Sequence, residues 1–570
     1  MAAGSAARPS RGEAVAQGRE GSRVNSGIES QRWDVIVVGT GMGGATAGHA
    51  LARHGLKVLF IEKGRSPGAP AAILGGYPED EVGSPFPPTP ERLDGLRRGG
   101  REWERIVDAG KRRRTSHIPF IGSGVGGSSA LYGMAMERFF PADFAPAECF
   151  PEGASESTLP QRWPIAYEDL LPYYAHAEAL YRVRGSPDPL RGAGFSPAYL
   201  DPAPLSPCAD ELACWLRAAG MHPYRLPLAC EFVPECACCQ SYLCARGCKN
   251  DAGRICVEPA MREHGASLLD ACEVVRLEAS AQRVEGVVCR REGRCFTLRA
   301  RTVVLAAGAL HTPRLLLASA SAEWPRGLAN RSGLVGRNLM RHYVDLYVIR
   351  PRTAPGAQAA WKEIAFNDFY HEAGGGKLGS VQDFGALPPV DHVLDVLADD
   401  IAQGHGALAG LLFRPLRPLI GRYLGHRLAG SRILAALMED LPYADNRVEL
   451  GADGGIELHY RLHAAERQRI ARMRSRMKAL LEPYRPMLIK QAESNERLAH
   501  ACGTCRFGED ARTSVLDPSN RAHDVDNLYV VDASFFPSSA GINPSLTIAA
   551  NALRVADAIA RAMAQGSASP

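Results

Sequence analysis

The sequence predicts an α/β fold that begins with a parallel sheet, and three features near the N-terminus support this. Residues 34–38 form a short run rich in Val and Ile, which is typical of a buried parallel strand. A glycine-rich turn follows, and then an alanine-rich helix over residues 45–54 that Gly55 is expected to end. A second apolar run, residues 57–61, leads to Glu62. A strand, a helix and a strand in this order predict a βαβ unit.

The turn between the first strand and the helix has the pattern G-x-G-x-x-G. The first glycine permits the tight turn, the second lets the backbone approach a pyrophosphate, and the third lets the helix pack closely. A carboxylate about 20 residues later, here Glu62, is placed to hydrogen-bond a ribose 2′-OH and would repel the 2′-phosphate of NADP. A glycine-rich turn without a ligand is the alternative. The predicted dinucleotide-binding residues are Gly39, Gly41, Met42, Gly43, Gly44 and Glu62.

Length and composition restrict the possible function classes. A chain of 570 residues is long for one core, so two interlocked domains are expected. The net charge of +4 is small and argues against a nucleic-acid partner. The sequence contains no run of about 20 apolar residues, so no transmembrane segment is predicted. Residues 1–27 lack the apolar stretch of a signal peptide and are expected to form a disordered arm, and fifteen cysteines then indicate a reducing, cytoplasmic location.

Apolar runs and turn residues divide the rest of the chain into further elements. Residues 67–115 are Pro-rich and are expected to form an irregular excursion over the surface. Strands are expected within residues 273–300, 303–308, 345–365 and 447–462, and helices within residues 161–185, after Thr312-Pro313 and across residues 390–437.

Several motifs follow one another in a characteristic order. After the N-terminal turn come Gly126-Gly127-Ser128-Ser129, Trp163-Pro164-Ile165, Ala306-Ala307-Gly308-Ala309-Leu310-His311-Thr312-Pro313, Val335-Gly336-Arg337-Asn338-Leu339-Met340, Asn446-Arg447-Val448, His500-Ala501-Cys502-Gly503-Thr504 and Asn543-Pro544. Together they resemble the glucose–methanol–choline (GMC) family of FAD oxidoreductases over nearly the whole chain. The resemblance implies bound FAD, a Rossmann-like FAD-binding domain assembled from separated segments, and an α+β substrate domain whose antiparallel sheet covers the flavin ring.

The resemblance also implies the domain boundaries. Residues 28–340 are expected to form mainly the FAD-binding domain, including the excursion at 67–115 and a cysteine-rich segment at 230–256. Residues 341–499 are expected to form mainly the substrate domain, with a helical insert at 390–437. Residues 500–570 return to the FAD-binding domain. The insert alternates apolar residues with arginines, which predicts either a packed cap or a lid that admits a bulky lipophilic alcohol.

The C-terminal motifs supply the expected catalytic pair. The resemblance implies that His500 is the base and that Asn543 orients the substrate oxygen, and an imidazole can accept a proton near neutral pH. The alternatives are a core histidine and an asparagine that only caps its helix. Tyr132 departs from the family, which usually has Asn or His there. Further FAD contacts are implied for Gly126, Gly127, Ser128, Ser129, Val274, Asp532, Ala533, Asn543 and Pro544, with an ordinary core valine and a helix cap as alternatives for Val274 and Asp532.

Cysteines are concentrated in residues 230–256. The run Cys238 to Cys248 has the spacing C-C-x4-C-x3-C, which loosely resembles the iron–sulfur segment of bacterial FAD hexose dehydrogenases in the same family. Cys238, Cys244 and Cys248 are the candidate ligands of an iron–sulfur cluster. Zinc binding and free or locally paired thiols are the alternatives.

The expected function is oxidation of the CH–OH group of an alcohol by hydride transfer to flavin N5. The expected partners are a small-molecule alcohol and an electron acceptor, either oxygen or a redox partner. Two alternatives stay open: a flavin-bound lyase or isomerase, and a dehydrogenase subunit of an electron-transfer complex.

Overall fold

The computed structural model of the chain describes residues 27–67, 75–78, 89–110, 114–150, 156–353, 361–372, 376–385, 390, 394, 401, 413–490, 492–493 and 500–567. Outside them lie residues 1–26 of the predicted arm, residues 68–74, 79–88 and 111–113 of the predicted excursion, and residues 391–393, 395–400 and 402–412 of the predicted insert. The strands are β1 (Arg32–Val38), β2 (Val58–Ile61), β3 (Ile106–Asp108), β4 (Thr115–His117), β5 (Tyr224–Arg225), β6 (Ser267–Leu269), β7 (Glu273–Ala279), β8 (Val284–Arg291), β9 (Arg294–Leu305), β10 (Tyr343–Ile349), β11 (Ile364–Phe366), β12 (Gly379–Asp383), β13 (Arg432–Met438), β14 (Arg447–Leu450), β15 (Ile456–His459), β16 (Met487–Lys490) and β17 (Leu528–Val530).

The α-helices that the described residues form are α1 (Met42–Arg53), α2 (Pro90–Arg98), α3 (Tyr167–Leu180), α4 (Pro207–Ala218), α5 (Glu258–His264), α6 (Gly308–Ala318), α7 (Arg417–Leu428), α8 (Ala464–Leu481) and α9 (Ser545–Ser567). None of these helices combines the length and hydrophobicity needed to cross a membrane.

A seven-stranded sheet carries the glycine-rich turn. Its order is β6-β2-β1-β9-β8-β7, and β17 also pairs with β9. Strand β1 runs parallel to β2 and β9, whereas β7, β8 and β9 form an antiparallel meander. Apolar side chains of β1, β2 and β9 pack with those of α1 and α9 into the largest core. The predicted strand–helix–strand unit is confirmed, and β17 and α9 bring the C-terminal segment back to it.

The second large sheet is antiparallel and has the order β16-β10-β13-β12-β11-β5. Successive side chains of a strand point to opposite faces. One face presents Val344, Leu346, Ala435 and Leu437, and the other packs on α4 and α8. The antiparallel sheet that the family resemblance implied is confirmed. A small third sheet has the order β14-β15-β3-β4.

Two predicted elements were wrong. Residues 67–115 include α2, β3 and β4, and Thr89 caps α2 by accepting a hydrogen bond from Arg92, with Pro90 as the first helical residue. The prolines of this segment therefore mark a helix start as well as a loop. Within the predicted helical insert, residues 417–428 are helical, but residues 432–438 form β13 in the middle of the antiparallel sheet. A short apolar run does not distinguish a buried strand from a helix.

Candidate active site

One large cavity lies between the glycine-rich turn and the antiparallel sheet. Its volume is about 490 Å³, within the usual range for small-molecule sites. Of the predicted FAD-binding and catalytic residues, Gly44 and Gly126 do not line it, and neither do the predicted cluster ligands Cys238, Cys244 and Cys248. The predicted residues that do are Gly39, Gly41, Met42, Gly43, Glu62, Gly127, Ser128, Ser129, Val274, His500, Asp532, Ala533, Asn543 and Pro544. The fold therefore brings the N-terminal turn and the C-terminal pair to one site.

The three glycines of the first turn meet different surroundings. Gly39 has a φ of +95°, and a Cβ there would collide with the backbone of Ala306. A Cβ on Gly44 would collide with the backbone of Gly39, so this glycine lets α1 pack closely on the turn. Around Gly41, no heavy atom of the described residues lies within 4 Å of the position of a Cβ. This opening is what an approaching pyrophosphate requires.

The Glu62 carboxylate is buried and is held by the turn itself. Thr40 donates to Oε2 from its backbone N–H at 3.0 Å and from its hydroxyl at 2.7 Å, and Gly64 N–H donates to Oε1 at 3.0 Å. Burial raises the pKa of Glu62, although these hydrogen bonds oppose the shift. A carboxylate oxygen can accept more than one hydrogen bond, so Glu62 is able to accept another from a ligand hydroxyl.

Asp532 joins the C-terminal segment to α6. Its Oδ2 accepts hydrogen bonds from Gly308 N–H at 2.9 Å and from the Thr312 hydroxyl at 2.5 Å, and Oδ1 accepts one from Ser534 N–H at 2.9 Å. Asp532 thus acts as a helix cap, the alternative considered for it, while it also lines the cavity. Helix α6 begins at Gly308 and not after Thr312 as predicted, because its cap comes from a distant part of the chain.

The proline inside α6 connects this helix to the histidine motif. Pro313 has no N–H and cannot bond the carbonyl of Ala309 four residues earlier. The Thr504 hydroxyl donates to that carbonyl at 2.8 Å instead. The threonine of the H-x-x-G-T motif therefore anchors the motif on α6.

The second glycine-rich loop touches the first. A Cβ on Gly127 would lie 2.8 Å from the Cα of Gly41. Gly126 has a φ of +94° and supports this loop from outside the cavity. Tyr132, the residue that departs from the family, donates its hydroxyl to the carbonyl of Asn250 at 2.6 Å. The Tyr132 hydroxyl, which the usual Asn or His would lack, therefore has a hydrogen-bond partner in the cysteine-rich segment.

His500 is paired with a second histidine. Met340 and Cys502 exchange backbone hydrogen bonds at 2.9 Å in an antiparallel bridge. His342, two residues after Met340, faces His500, two residues before Cys502, and their Nδ1 atoms lie 2.7 Å apart. The backbone of His500 has a φ of +59°, a conformation that residues with side chains adopt rarely. The fold therefore holds His500 in a defined position beside His342.

The surroundings of His342 determine where its proton lies. Its Nε2 is 3.1 Å from the carbonyl oxygen of Ser539 and 2.9 Å from that of Ala540. Carbonyl oxygens only accept, so Nε2 carries the hydrogen. Burial lowers the pKa of His342 to about 4, so it is neutral near pH 7 and its Nδ1 has a lone pair. The short contact then requires His500 to donate from Nδ1.

Asn543 faces the antiparallel sheet. Its amide nitrogen donates to Gln382 Oε1 on β12 at 2.8 Å. The carbonyl of Pro544 accepts from Ile548 N–H at 3.0 Å, so α9 has its cap at Pro544 and begins at Ser545. Asn543 therefore lies one residue before the cap, and its side chain is held by a long-range partner.

A buried ionic cluster supports the loop between the histidine pair and Asn543. Lys377 pairs with Asp143 and, at 2.5 Å, with Glu439. Tyr370 donates to Asp143 at 2.8 Å, and Ala540 N–H donates to Glu439 at 3.1 Å. Burial alone would lower the pKa of Lys377, but the two carboxylates outweigh it and raise the pKa. The cluster fixes the backbone carbonyl that Nε2 of the second histidine contacts.

Family models and known proteins match most of the chain. Models of the GMC oxidoreductase family match residues 215–344 and 442–552, and a model of the NAD(P)-binding Rossmann-like domain matches residues 37–73. The chain is 32% identical over 561 residues to 6'''-hydroxyparomomycin C oxidase of Streptomyces lividus, which covers 94% of this chain and 93% of that protein. The chain belongs to the GMC oxidoreductase family.

Two other proteins are similar over more than 90% of the chain. Paromamine 6'-oxidase of Streptomyces fradiae is 32% identical over 552 residues, covering 93% of this chain and 91% of that protein. The crystal structure of pyridoxine 4-oxidase from Mesorbium loti has a TM-score of 0.60 and 19% identity, covering 92% of this chain and 99% of that one. This last similarity shows the fold alone.

The cysteine-rich segment of this GMC oxidoreductase gathers its thiols near the cavity. The sulfur atoms of Cys230, Cys236 and Cys248 all lie within 4.8 Å of one another. Cys244 Sγ is 3.5 Å from Cys248 Sγ, and Cys238 donates its backbone N–H to Cys236 Sγ at 3.4 Å. Of the predicted ligands, only Cys248 belongs to the closest group.

Three residues that shape the site were missed by sequence reasoning. Thr40 stands between the first two glycines, where its contact with an acid could have been anticipated. His342 and Gln382 have no such signal, because each meets its partner only in the folded chain.

Proposed function

We propose that this GMC oxidoreductase binds FAD in the cavity and oxidises the CH–OH group of an alcohol, with His500 as the base. The observation that carries the proposal is the histidine pair at the same cavity as the open glycine-rich turn. Both Streptomyces relatives are named as oxidases, which agrees with an oxidation.

The residues present fit FAD. The opening at Gly41 accommodates a pyrophosphate, and Glu62 at the end of β2 can accept a hydrogen bond from the ribose. The apolar face of the antiparallel sheet, with Val344, Leu346 and Leu437, provides a wall for a flat ring system. Bound FAD supplies an acceptor for the hydride at its N5.

The histidine pair prepares His500 to take a proton. Because Nδ1 of His500 donates to His342, the lone pair of its neutral imidazole is on Nε2. A neutral imidazole can remove the hydroxyl proton while the carbinol carbon loses its hydride. In this proposal His342 does not touch the substrate, and it acts by holding the tautomer of His500.

Asn543 orients the substrate oxygen. An amide NH₂ has two N–H donors. One is directed to Gln382 at 2.8 Å, and this bond fixes the plane of the amide. The second N–H can then donate to the oxygen that the base deprotonates.

His500→Ala tests the proposal. We expect the variant to retain FAD but to lose about two to four orders of magnitude in the rate of flavin reduction, the usual range for a general base. The measurement is anaerobic stopped-flow bleaching of the flavin with a panel of alcohols. His222→Ala, which changes an exposed histidine paired with Asp368, is the matched control. An unchanged rate in the His500 variant would refute the assignment, and turnover without bleaching of the parent would favour a lyase or isomerase.

The cluster of Cys230, Cys236 and Cys248 favours a second role, as a dehydrogenase that passes electrons to a redox partner. Three buried thiols within 4.8 Å of one another can bind one ion or cluster together. We propose that Cys230, Cys236 and Cys248, with Cys244 adjacent, are the ligands of an iron–sulfur cluster. Turnover with an artificial dye but not with oxygen would support this role.

We also propose a substrate with an apolar body and a cytoplasmic location. The sheet wall of the cavity is apolar. Leu416, just before α7, and Leu419 and Tyr423 on α7 are exposed, as expected for a lid over a lipophilic alcohol. All fifteen cysteines are free thiols, which suits a reducing compartment. Turnover that increases with the length of an alkan-1-ol would support the lid.

A further inference from the structure

One lysine in the cavity stands out because its buried ammonium has no ion pair or hydrogen bond among the described residues. Lys362 is 6% exposed and lines the cavity, with its Nζ 5.5 Å from the centre of the Phe384 ring. Across the part of the chain that the structure describes, no carboxylate or hydrogen-bond acceptor contacts this Nζ. The adjacent carboxylate, Asp383, is already paired with Arg432 at 2.6 Å.

Lys362 lies where Phe384, Gly133 and Gln240 line the cavity. Gln382, which holds Asn543, is on β12, and Phe384 directly follows this strand, two residues and about 7 Å further along the chain. The ammonium of Lys362 would collide with a Cβ on Gly133, and Gln240 Oε1, which has no hydrogen-bond partner, lies 2.8 Å from that same point. The ammonium of Lys362 and the buried Oε1 of Gln240 thus lie close to the same point.

We propose that Lys362 binds a carboxylate at the end of the substrate remote from the oxidised carbinol, so that the substrate is a hydroxy acid with an apolar body. This inference rests on the proposed alcohol oxidation. A buried cation is costly unless an anion compensates it, and a carboxylate matches a single ammonium in charge. A phosphate carries nearly two charges and would leave an excess buried. A ligand ammonium group at this position would be repelled.

The charge of Lys362 is present at working pH. Burial lowers its pKa to about 8, so most of the lysine is protonated near pH 7. Lys249 provides the contrast, because it is equally buried but donates to the carbonyls of Ala130 at 2.7 Å and Tyr242 at 2.9 Å. The charge of Lys362 is therefore available for a ligand, whereas Lys249 has a structural role.

The test compares ω-hydroxy acids, alkan-1-ols and ω-amino alcohols of matched chain length on the FAD-loaded enzyme, for example 6-hydroxyhexanoate, hexan-1-ol and 6-aminohexan-1-ol, with longer homologues. We expect kcat/KM to be about 10- to 100-fold higher for the acid than for the alcohol at the best length, the range for one charged hydrogen bond, and lowest for the amine. Lys362→Met should reduce the acid-to-alcohol ratio to about one. Lys249→Met should keep the ratio of the parent.

Thermal unfolding provides a second readout that does not depend on turnover. Lys362→Met removes an uncompensated buried charge and should raise Tm, whereas Lys249→Met should lower it. Decanoate should raise the Tm of the parent but not that of Lys362→Met, even if no alcohol reduces the flavin and the proposed oxidation fails. The same acid-to-alcohol ratio in the parent and in Lys362→Met, or equal stabilisation of both by decanoate, would overturn the proposal.

Discussion

Replacing His342 tests whether this residue sets the tautomer of His500. His342→Leu removes the acceptor 2.7 Å from His500 Nδ1 and the donor to two backbone carbonyls. His342→Gln can retain both, because the amide oxygen accepts and the amide nitrogen donates. The two variants therefore separate the loss of the hydrogen bonds from the loss of the imidazole ring itself.

The magnitude follows from the hydrogen bond. An unsatisfied buried polar group costs about 1–3 kcal/mol, and each 1.36 kcal/mol in a barrier is a factor of about ten. We therefore expect the Leu variant to reduce its flavin about 5- to 100-fold more slowly than the parent, and the Gln variant to stay within a few-fold of it. His49→Leu, a change at a buried histidine that does not line the cavity, should have no effect.

The assay is single-turnover flavin reduction by a good substrate under anaerobic conditions, with flavin content measured on each preparation. The reasoning is refuted if the Leu variant is as fast as the parent, because the tautomer would then not depend on His342. A Gln variant as slow as the Leu variant would also contradict the reasoning, because the hydrogen-bond acceptor and donor at position 342 would then not be what matters.

The same histidine predicts a pH dependence of stability. Burial lowers the pKa of His342 from 6.5 to about 4, so between these values the unfolded chain binds a proton that the folded chain does not. This contribution to stability is complete above pH 6.5 and is lost as pH falls towards 4, by about 3 kcal/mol over the whole window. Urea unfolding at several pH values should show that the free energy of unfolding depends less steeply on pH in His342→Gln than in the parent. Equal pH dependence in the two proteins would count against the prediction.

Three further predictions concern the cofactor, the fold and the thiols. Gly41→Val fills the open space in the turn, so the purified variant should lack the visible flavin band, and normal flavin content would rule out that site. Lys377→Met leaves two buried carboxylates unpaired and should lower the free energy of unfolding by about 3–5 kcal/mol in urea titrations, whereas a change below about 1 kcal/mol would mean that the cluster contributes little. Cys248→Ser should remove stoichiometric iron and the broad absorbance beneath the flavin bands together, and anaerobically purified parent without iron would refute the cluster.

Local signals in the sequence were sufficient for the dinucleotide unit. The Val and Ile run, the glycine spacing and the acid after the second run depend on neighbours within a few residues, and β1, α1 and β2 lie where they predict. The order of motifs along the chain was sufficient for the family. Where an apolar run was short, as at residues 432–438, the local pattern did not distinguish strand from helix, and the pairing partners on both sides decided it.

The amino-acid sequence by itself determined which residues could bind a dinucleotide and accept a proton, because residue type and spacing are local properties. Only the tertiary structure decided how they are held. His342 meets His500 across 158 residues, and Asn543 meets Gln382 across 161. It also grouped Cys230 with Cys236 and Cys248, and it left Lys362 without an acceptor among the described residues. The physical reason is that a hydrogen bond or a buried charge depends on which distant elements pack together, and no local pattern records that packing.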